Sequence, residues 1–261
     1  MLENAKIEYA IITQVKNQAT RIYDWIKYHN SQGFDTFIIF DDFSEDETEM
    51  EIKKAESELN VNIILNKTDG IGINYYDIET SRNSNSYAFD NAFHKRLDRS
   101  YTNGNYIVKQ INPDAISVVI DVDEFLVTDR EEKVTSVLKG IFEENSCEQI
   151  LIYNFDIKHD YILEKGFLYR NKFKRWDYED MEKSAFSQRS KCAVISKYLN
   201  SVTFVHLLIN KQEGQGFITG EETFKCRDYS RLRMLHFRIP NLDSPINFIE
   251  DETLNNLFKN G

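Results

Sequence analysis

Four short apolar runs, each closed by a polar cluster, restrict this chain more than any other feature. Tyr9–Thr13 (YAIIT), Thr36–Phe40 (TFIIF), Val61–Leu65 (VNIIL) and Ile116–Ile120 (ISVVI) are too short for helices, and their β-branched and aromatic residues suit buried strands. Helical spacing fills the gaps between them. Residues 18–31 put Ile22, Trp25, Ile26 and His29 on one inward face, which makes His29 a structural residue. Ser44-Glu45-Asp46-Glu47 has the S-x-x-E form of a capping box, so Ser44 is expected to open a helix through about Leu59. Ser86–Leu97 and Val134–Phe142 predict two more helices, and Gln149–Tyr153 a further strand. Apolar strands bracketed by helices pair in parallel with both faces covered, so the fold class is α/β. Ligands of such sheets sit outside the carboxyl ends of the strands.

The second half is less regular. Residues 154–190 are polar and aromatic without a clean period, and strand-like segments follow at Cys192–Ile195, Val202–Leu208 and Leu232–Phe237. Ser244-Pro245 resembles a helix start, and an acidic helix is expected after it. No composition shift marks a boundary, so residues 1–261 read as a single domain.

Charge and cysteine usage exclude several classes. A net charge of −11 repels polyanions, so no nucleic-acid partner is expected, although a bound divalent cation can locally reverse the field for a small phosphorylated ligand. Cys147, Cys192 and Cys226 are widely spaced and form no C-x-x-C pair, which argues against a zinc site or disulfide framework and fits a reducing cytoplasm. The first residues show no signal-peptide pattern, and no run approaches the roughly 18 apolar residues of a membrane span. A cytoplasmic protein is expected. Lys165, Arg170, Lys172, Lys174 and Arg175 alternate with Phe167, Tyr169, Phe173 and Trp176, so residues 165–176 can offer a peripheral contact to the inner face of a membrane. A loop whose long side chains cover apolar neighbours fits that stretch equally well.

Three polar motifs fall at strand ends. Asp121-Val122-Asp123 follows the fourth strand, and two carboxylates at i and i+2 on a turn can converge on one Mn²⁺ or Mg²⁺ while leaving positions open for phosphate oxygens. A solvated acidic turn is the bland counterpart. Asp41 follows the second strand, where a carboxylate can accept from ribose hydroxyls or a base N–H; helix capping by Asp41 or Asp42 is the alternative. Lys16 and Asn17 follow the first strand, where a cation and backbone N–H groups can meet an anion. His236, in LRMLHFRIP, can complete a metal site with the two aspartates, although a lone His in an apolar run is more often a core residue. His206 ranks below it.

Taken in order, these segments resemble glycosyltransferase family 92 and related family-2-like proteins with a GT-A fold. The resemblance rests on Thr13-Gln14-Val15-Lys16-Asn17, Asp24-Trp25-Ile26-Lys27-Tyr28-His29 with Gly33, Ile39-Phe40-Asp41-Asp42-Phe43-Ser44, and Val119-Ile120-Asp121-Val122-Asp123-Glu124-Phe125-Leu126. Looser matches are Lys191-Cys192-Ala193-Val194, Val205-His206 and Leu235-His236-Phe237. It implies a Rossmann-like mixed sheet flanked by helices, with residues 1–130 as the nucleotide-sugar half and 131–261 as the acceptor side. It also implies a nucleotide-diphosphate sugar donor, a UDP-sugar above all, a divalent cation (Mn²⁺ or Mg²⁺), and a glycan or lipid-linked acceptor in polysaccharide synthesis. Lys16, Asn17 and Asp41 would hold the nucleotide, with Asp121 and Val122 at the diphosphate. Asp121, Asp123 and His236 would hold the metal. Family members often carry a glutamate after the Lys-Asn pair, where this chain has Gln18.

Inversion, expected by resemblance, needs a carboxylate base for the acceptor hydroxyl. Asp156, Asp160 and Glu179 are the candidates, with Asp156 first and Asp123 beside it in the catalytic set. Two other readings compete. One is a haloacid-dehalogenase-type sugar phosphatase, in which Asp121 would be the nucleophile, although Phe125 and the mid-chain position of the motif fit that class poorly. The other is a non-catalytic nucleotide-sugar-binding protein.

Overall fold

The computed structural model describes residues 7–68, 92–158, 174–177, 179, 190–199, 201–202, 208–209, 223–237 and 248–250. In chain order these form β1 (Tyr9–Val15), α1 (Ile22–Ser31), β2 (Thr36–Asp41), α2 (Thr48–Glu58), β3 (Asn62–Lys67), α3 (Ala92–Ile111), β4 (Ile116–Val119) and β5 (Glu124–Val127). Then follow α4 (Val134–Asn145), β6 (Gln149–Lys158), β7 (Lys174–Trp176), β8 (Ser190–Ile195), β9 (Ser201–Val202), β10 (Leu208–Ile209), β11 (Thr223–Cys226), β12 (Arg233–His236) and β13 (Phe248–Glu250).

β4, β1, β2 and β3 lie side by side in that order, all parallel. The sheet then turns mixed, because β8 runs antiparallel between β4 and β6. β6 is long enough to serve two sets of neighbours. Its first half lies between β8 and β11, and its second half pairs with β12 and then β7. The fold is therefore α/β with a mixed sheet, parallel in its first half as the apolar runs predict.

Alternation along the parallel strands explains why they are apolar throughout. Ile11, Phe37 and Val118 enter one core with Trp25 of α1 and Leu138 of α4, while Ile12, Ile38 and Val119 enter a second core with Tyr101 and Val108 of α3. Trp25, Phe34, Phe37, Phe40, Phe125 and Phe155 are fully enclosed, and each such side chain contributes about 1.5–3 kcal/mol of transfer free energy.

Several local expectations need correction. The capping box does not form: the N-cap of α2 is Glu47, without a side-chain cap. The Ser44 hydroxyl instead accepts the Asn17 N–H at 2.9 Å, and the Ser44 N–H donates to Asp41. Asp46 and Thr48 likewise accept from Ala19 and Gln18 across the β1–α1 loop. A tertiary clasp has taken the side chains that would have served the local cap.

The helix expected over Ser86–Leu97 runs from Ala92 to Ile111; residues 86–91 lie outside the described ones. Ser100, Thr102, Asn103, Gly104 and Asn105 are poor helix formers and hid its second half. Gly104 is there for proximity, since a Cβ on it would lie 2.3 Å from Ile12 Cγ2 of β1. β5 was not expected, because four residues beside an acidic motif show no period of their own. The expected strand Val202–Leu208 becomes the antiparallel pair β9 and β10, with 203–207 outside the described residues. His206, the helix start at Ser244-Pro245 and residues 165–173 also lie outside them; of the acidic helix expected after Ser244-Pro245, Phe248–Glu250 is instead strand β13, paired antiparallel with β7, and residues 251–261 lie outside the described ones. Of the basic-aromatic stretch, 174–176 forms β7, where Arg175 is buried. No helix among the described residues is long and apolar enough to cross a membrane.

Candidate active site

Because β4, β1 and β2 are adjacent and parallel, the motifs that follow them leave the same sheet edge. Strand spacing puts β2 about 10 Å from β4. Lys16 and Asn17 continue from β1, Asp41 closes β2, and Asp121-Val122-Asp123 turns out of β4 into β5.

The acidic turn is tightly held. The Glu124 N–H donates to the Asp121 carbonyl at 3.0 Å, and the Asp121 N–H donates to Glu124 Oε2 at 2.8 Å. The Phe237 N–H donates to the Asp123 carbonyl at 2.8 Å, tying the turn to the end of β12. Val122 is buried in the core, so only its backbone can face a ligand.

Asp121 is already engaged on both oxygens. The Tyr101 hydroxyl of α3 donates to Oδ1 at 2.7 Å, and the Lys191 ammonium of β8 lies 2.7 Å from Oδ2. Lys191 also reaches Glu124 Oε2 at 3.2 Å. Lys191 and Glu124 are wholly enclosed, whereas the Asp121 side chain is 37% exposed. Burial alone would raise the Asp121 carboxyl, but Lys191 and Tyr101 hold it below the usual carboxylate range. Burial pushes Glu124 up to about 7 despite Lys191, and Lys191, which burial would lower, is raised by its two carboxylates.

Asp123 has a different surrounding. Its Oδ2 lies 3.6 Å from His236 Nε2, and the other imidazole nitrogen, Nδ1, lies 3.1 Å from Asp156 Oδ1. Strand register explains this convergence: His236 of β12 stands opposite Glu124 of β5 on one side and Asp156 of β6 on the other. Burial would lower the imidazole, yet Asp123 and Asp156 hold it up at about 10. Arg21, at the start of α1, also feels the Asp123 charge. Burial lowers its guanidinium against that attraction, and its Nε has no hydrogen-bond partner among the described residues.

Among the described residues, no group of three or more His, Cys, Asp or Glu is arranged to hold a metal ion. What the site offers is a pair, one carboxylate and one imidazole that ligates only on releasing the proton its carboxylate neighbours favour, with the Asp123 side chain 27% exposed. That donor set suits a cation such as Mn²⁺ whose remaining positions go to phosphate oxygens and water. A ligating imidazole normally donates its other N–H to a carboxylate, which is the position Asp156 occupies.

At the β2 end, Asp41 is buried and both its oxygens are taken, Oδ1 by the Ser44 N–H and Oδ2 by Lys67. Asp41 thus joins the clasp with Ser44 and Lys67 and does not cap α2. Asn17, in the left-handed region at φ 53°, accepts the Glu45 N–H at 2.9 Å and closes the same clasp. Lys16 is exposed beside it. Gln18, in the place of the glutamate of the resemblance, turns its amide back to the Lys16 carbonyl. Of the other base candidates, Glu179 is exposed and Asp160 lies outside the described residues.

Sequence reasoning missed Tyr101, Arg21 and the roles of Lys191 and Glu124. For Lys191 a signal existed: a lysine in the apolar run KCAVI must find a carboxylate once the strand is buried.

No family model and no curated protein matches the chain, so the family-92 part of the resemblance stands without a matching family model. Similar solved structures include Staphylococcus aureus TarS 1–349 in complex with UDP, at 14% identity and TM-score 0.37, covering 64% of this chain and 40% of that one. TarS 1–349 without a named ligand gives 12% and 0.41, with 93% of this chain and 60% of that one covered. Mycobacterium tuberculosis glucosyl-3-phosphoglycerate synthase with Mn²⁺, UDP-glucose and phosphoglyceric acid gives 10% and 0.39, with 74% and 58% covered. The chain thus spans 40–60% of the length of these structures. Likeness at this level carries no inference about function.

Proposed function

We propose that this chain is a metal-dependent glycosyltransferase of the GT-A type, moving a sugar from a nucleotide-diphosphate donor, a UDP-sugar, to a glycan or lipid-linked acceptor with inversion. The observation that carries the reading is the meeting of Asp123 with His236, 3.6 Å apart, at the carboxyl edge of a parallel strand set. That edge is where α/β sheets bind nucleotides, and the sequence segments that resemble glycosyltransferases converge on it.

Asp123 and His236 would hold Mn²⁺ or Mg²⁺, which when bound supplies Lewis-acid stabilisation of charge on a leaving diphosphate. Asp156, 3.1 Å from Nδ1, would orient the imidazole as an outer carboxylate of the site, a role we assign to it in place of acceptor base. Lys16 is the exposed cation for the nucleotide side, and the Asn17–Ser44 clasp fixes the backbone it rises from.

Calorimetric titration of nucleotide sugars with and without Mn²⁺, on the native chain and on Asp123→Ala, tests this. The expected result is metal-dependent binding of a UDP-sugar that Asp123→Ala weakens at least about tenfold, since loss of even an outer partner of a metal ligand costs about 10–100-fold. Equal binding by the two proteins would remove Asp123 from the site. Metal-dependent binding without transfer to any acceptor would favour the non-catalytic reading.

A further inference from the structure

Lys191 is the one fully enclosed lysine among the described residues, and nothing in the proposed chemistry uses it. β8 is held between two neighbours: Cys192 pairs with Val119 of β4 and with Leu151 of β6, and Lys191 with Ile152. An ammonium on so fixed a backbone has little freedom to follow a ligand. It lies behind the acidic turn, 2.7 Å from Asp121 and 3.2 Å from Glu124, while Asp121 alone of the three reaches the surface. Tyr101 closes the other oxygen of Asp121 from the α3 side. Asp123, two residues on, has the imidazole of His236 as its neighbour.

We propose that Lys191 is the positioning residue of the acidic turn: its ammonium pins Asp121 so that this carboxylate cannot swing onto the cation, leaving Asp123 and His236 as the protein's donors. This rests on the metal-site reading above and divides the work of the two aspartates within it. Two carboxylates free to chelate together would grip a bare cation before any diphosphate arrived. With one of them held, the protein alone offers a sparse donor set, and the donor's own phosphates must complete it.

The test uses Lys191→Met combined with Glu124→Gln at pH 8.5, above the value of about 7 to which burial raises Glu124, so that one charge of each sign is removed and the net charge of the cluster is unchanged. Any change in cation affinity then reports the freedom of Asp121. Circular dichroism and thermal melting establish folding, and titration with Mn²⁺ alone, read by electron paramagnetic resonance, gives the affinity. The double variant is expected to bind Mn²⁺ about tenfold more tightly than the native chain, because a further carboxylate joins the donor set. Adding Asp121→Asn should abolish that gain. Unchanged, weaker or absent Mn²⁺ binding in the folded double variant overturns the proposal, since loss of a merely structural ion pair would not tighten binding. Should the methionine variant not fold, Lys191→Leu with Glu124→Gln, which likewise offers Asp121 no donor from position 191, carries the same expectation. A native chain that binds no nucleotide sugar defeats the transferase reading, yet the Mn²⁺ comparison still decides the role of Lys191.

Discussion

His29 should make this protein acid-sensitive over a definable window. It is fully buried on α1, with Nδ1 3.0 Å from the Trp25 carbonyl and Nε2 accepting the Leu126 N–H of β5 at 3.4 Å. Those contacts require the neutral ring with its proton on Nδ1, and protonating Nε2 would set one N–H against another. Burial accordingly depresses its pKa from 6.5 to about 3, with the Trp25 hydrogen bond opposing. Between those values the unfolded chain binds a proton that the folded chain refuses, so stability is full above pH 6.5 and falls as pH drops towards 3. Linkage gives a loss of about 1.4 kcal/mol per pH unit inside the window, or about 2.7 kcal/mol between pH 7.5 and 4.5. The perturbation is His29→Gln, whose amide can donate and accept but does not titrate. Urea unfolding of both proteins at pH 7.5, 6.0, 5.0 and 4.5, followed by circular dichroism, gives two stability–pH curves. Contributions of the carboxylates cancel in their difference. The native chain is expected to start more stable and to lose about 2.7 kcal/mol more than the variant across the range. Parallel curves would refute the reasoning.

Two further substitutions probe the supports of the site. Gly33 turns the chain after α1 at φ +98°, and a Cβ there would lie 2.1 Å from Thr135 Oγ1, so Gly33→Ala should cost about 2–4 kcal/mol in urea unfolding through backbone strain and overlap together. Thr135→Ala in the same chain should recover the overlap but not the strain. Trp25→Phe removes the indole N–H that donates to the Glu124 carbonyl at 2.8 Å and should cost about 1–3 kcal/mol, read by the same assay, because that buried carbonyl is left unpaired.

What could be read from the sequence followed how local its cause was. Parallel strands buried on both faces announce themselves as YAIIT, TFIIF and ISVVI, and the position of Asp121-Val122-Asp123 follows from the strand before it. Partners could not be read this way. Lys191 meets Asp121 only because β8 turns antiparallel beside β4, and His236 meets Asp123 only through the register of β12 against β5 and β6. Ser44 shows the opposite failure. Its local pattern was complete, and the Asn17 N–H outbid the helix for its hydroxyl.

The link between the W-I-x-Y-H segment and the D-V-D-E-F-L segment has a physical basis in β5. That strand pairs through one edge with β12. In an antiparallel pair, alternate residues turn their N–H and C=O groups away from the partner, and buried groups of that kind need acceptors and donors from elsewhere. On β5 the groups so exposed include the Glu124 carbonyl and both backbone groups of Leu126. Trp25 donates to the first at 2.8 Å, Tyr28 donates its hydroxyl to the Leu126 carbonyl at 2.8 Å, and His29 receives the Leu126 N–H. Three side chains from two turns of α1 thus act as a neighbouring strand for β5. Helical spacing makes this workable: positions 25, 28 and 29 share a face, and that face is the one turned to β5. The turn carrying Asp121 and Asp123 is therefore held by α1 through β5, by the Phe237 N–H at the end of β12, and by Lys191 and Tyr101 on Asp121. A substitution in α1 that unseats β5 should consequently disturb Asp123 and Asp121 together, whereas one at Lys191 should loosen Asp121, which keeps Tyr101, and leave Asp123 beside His236.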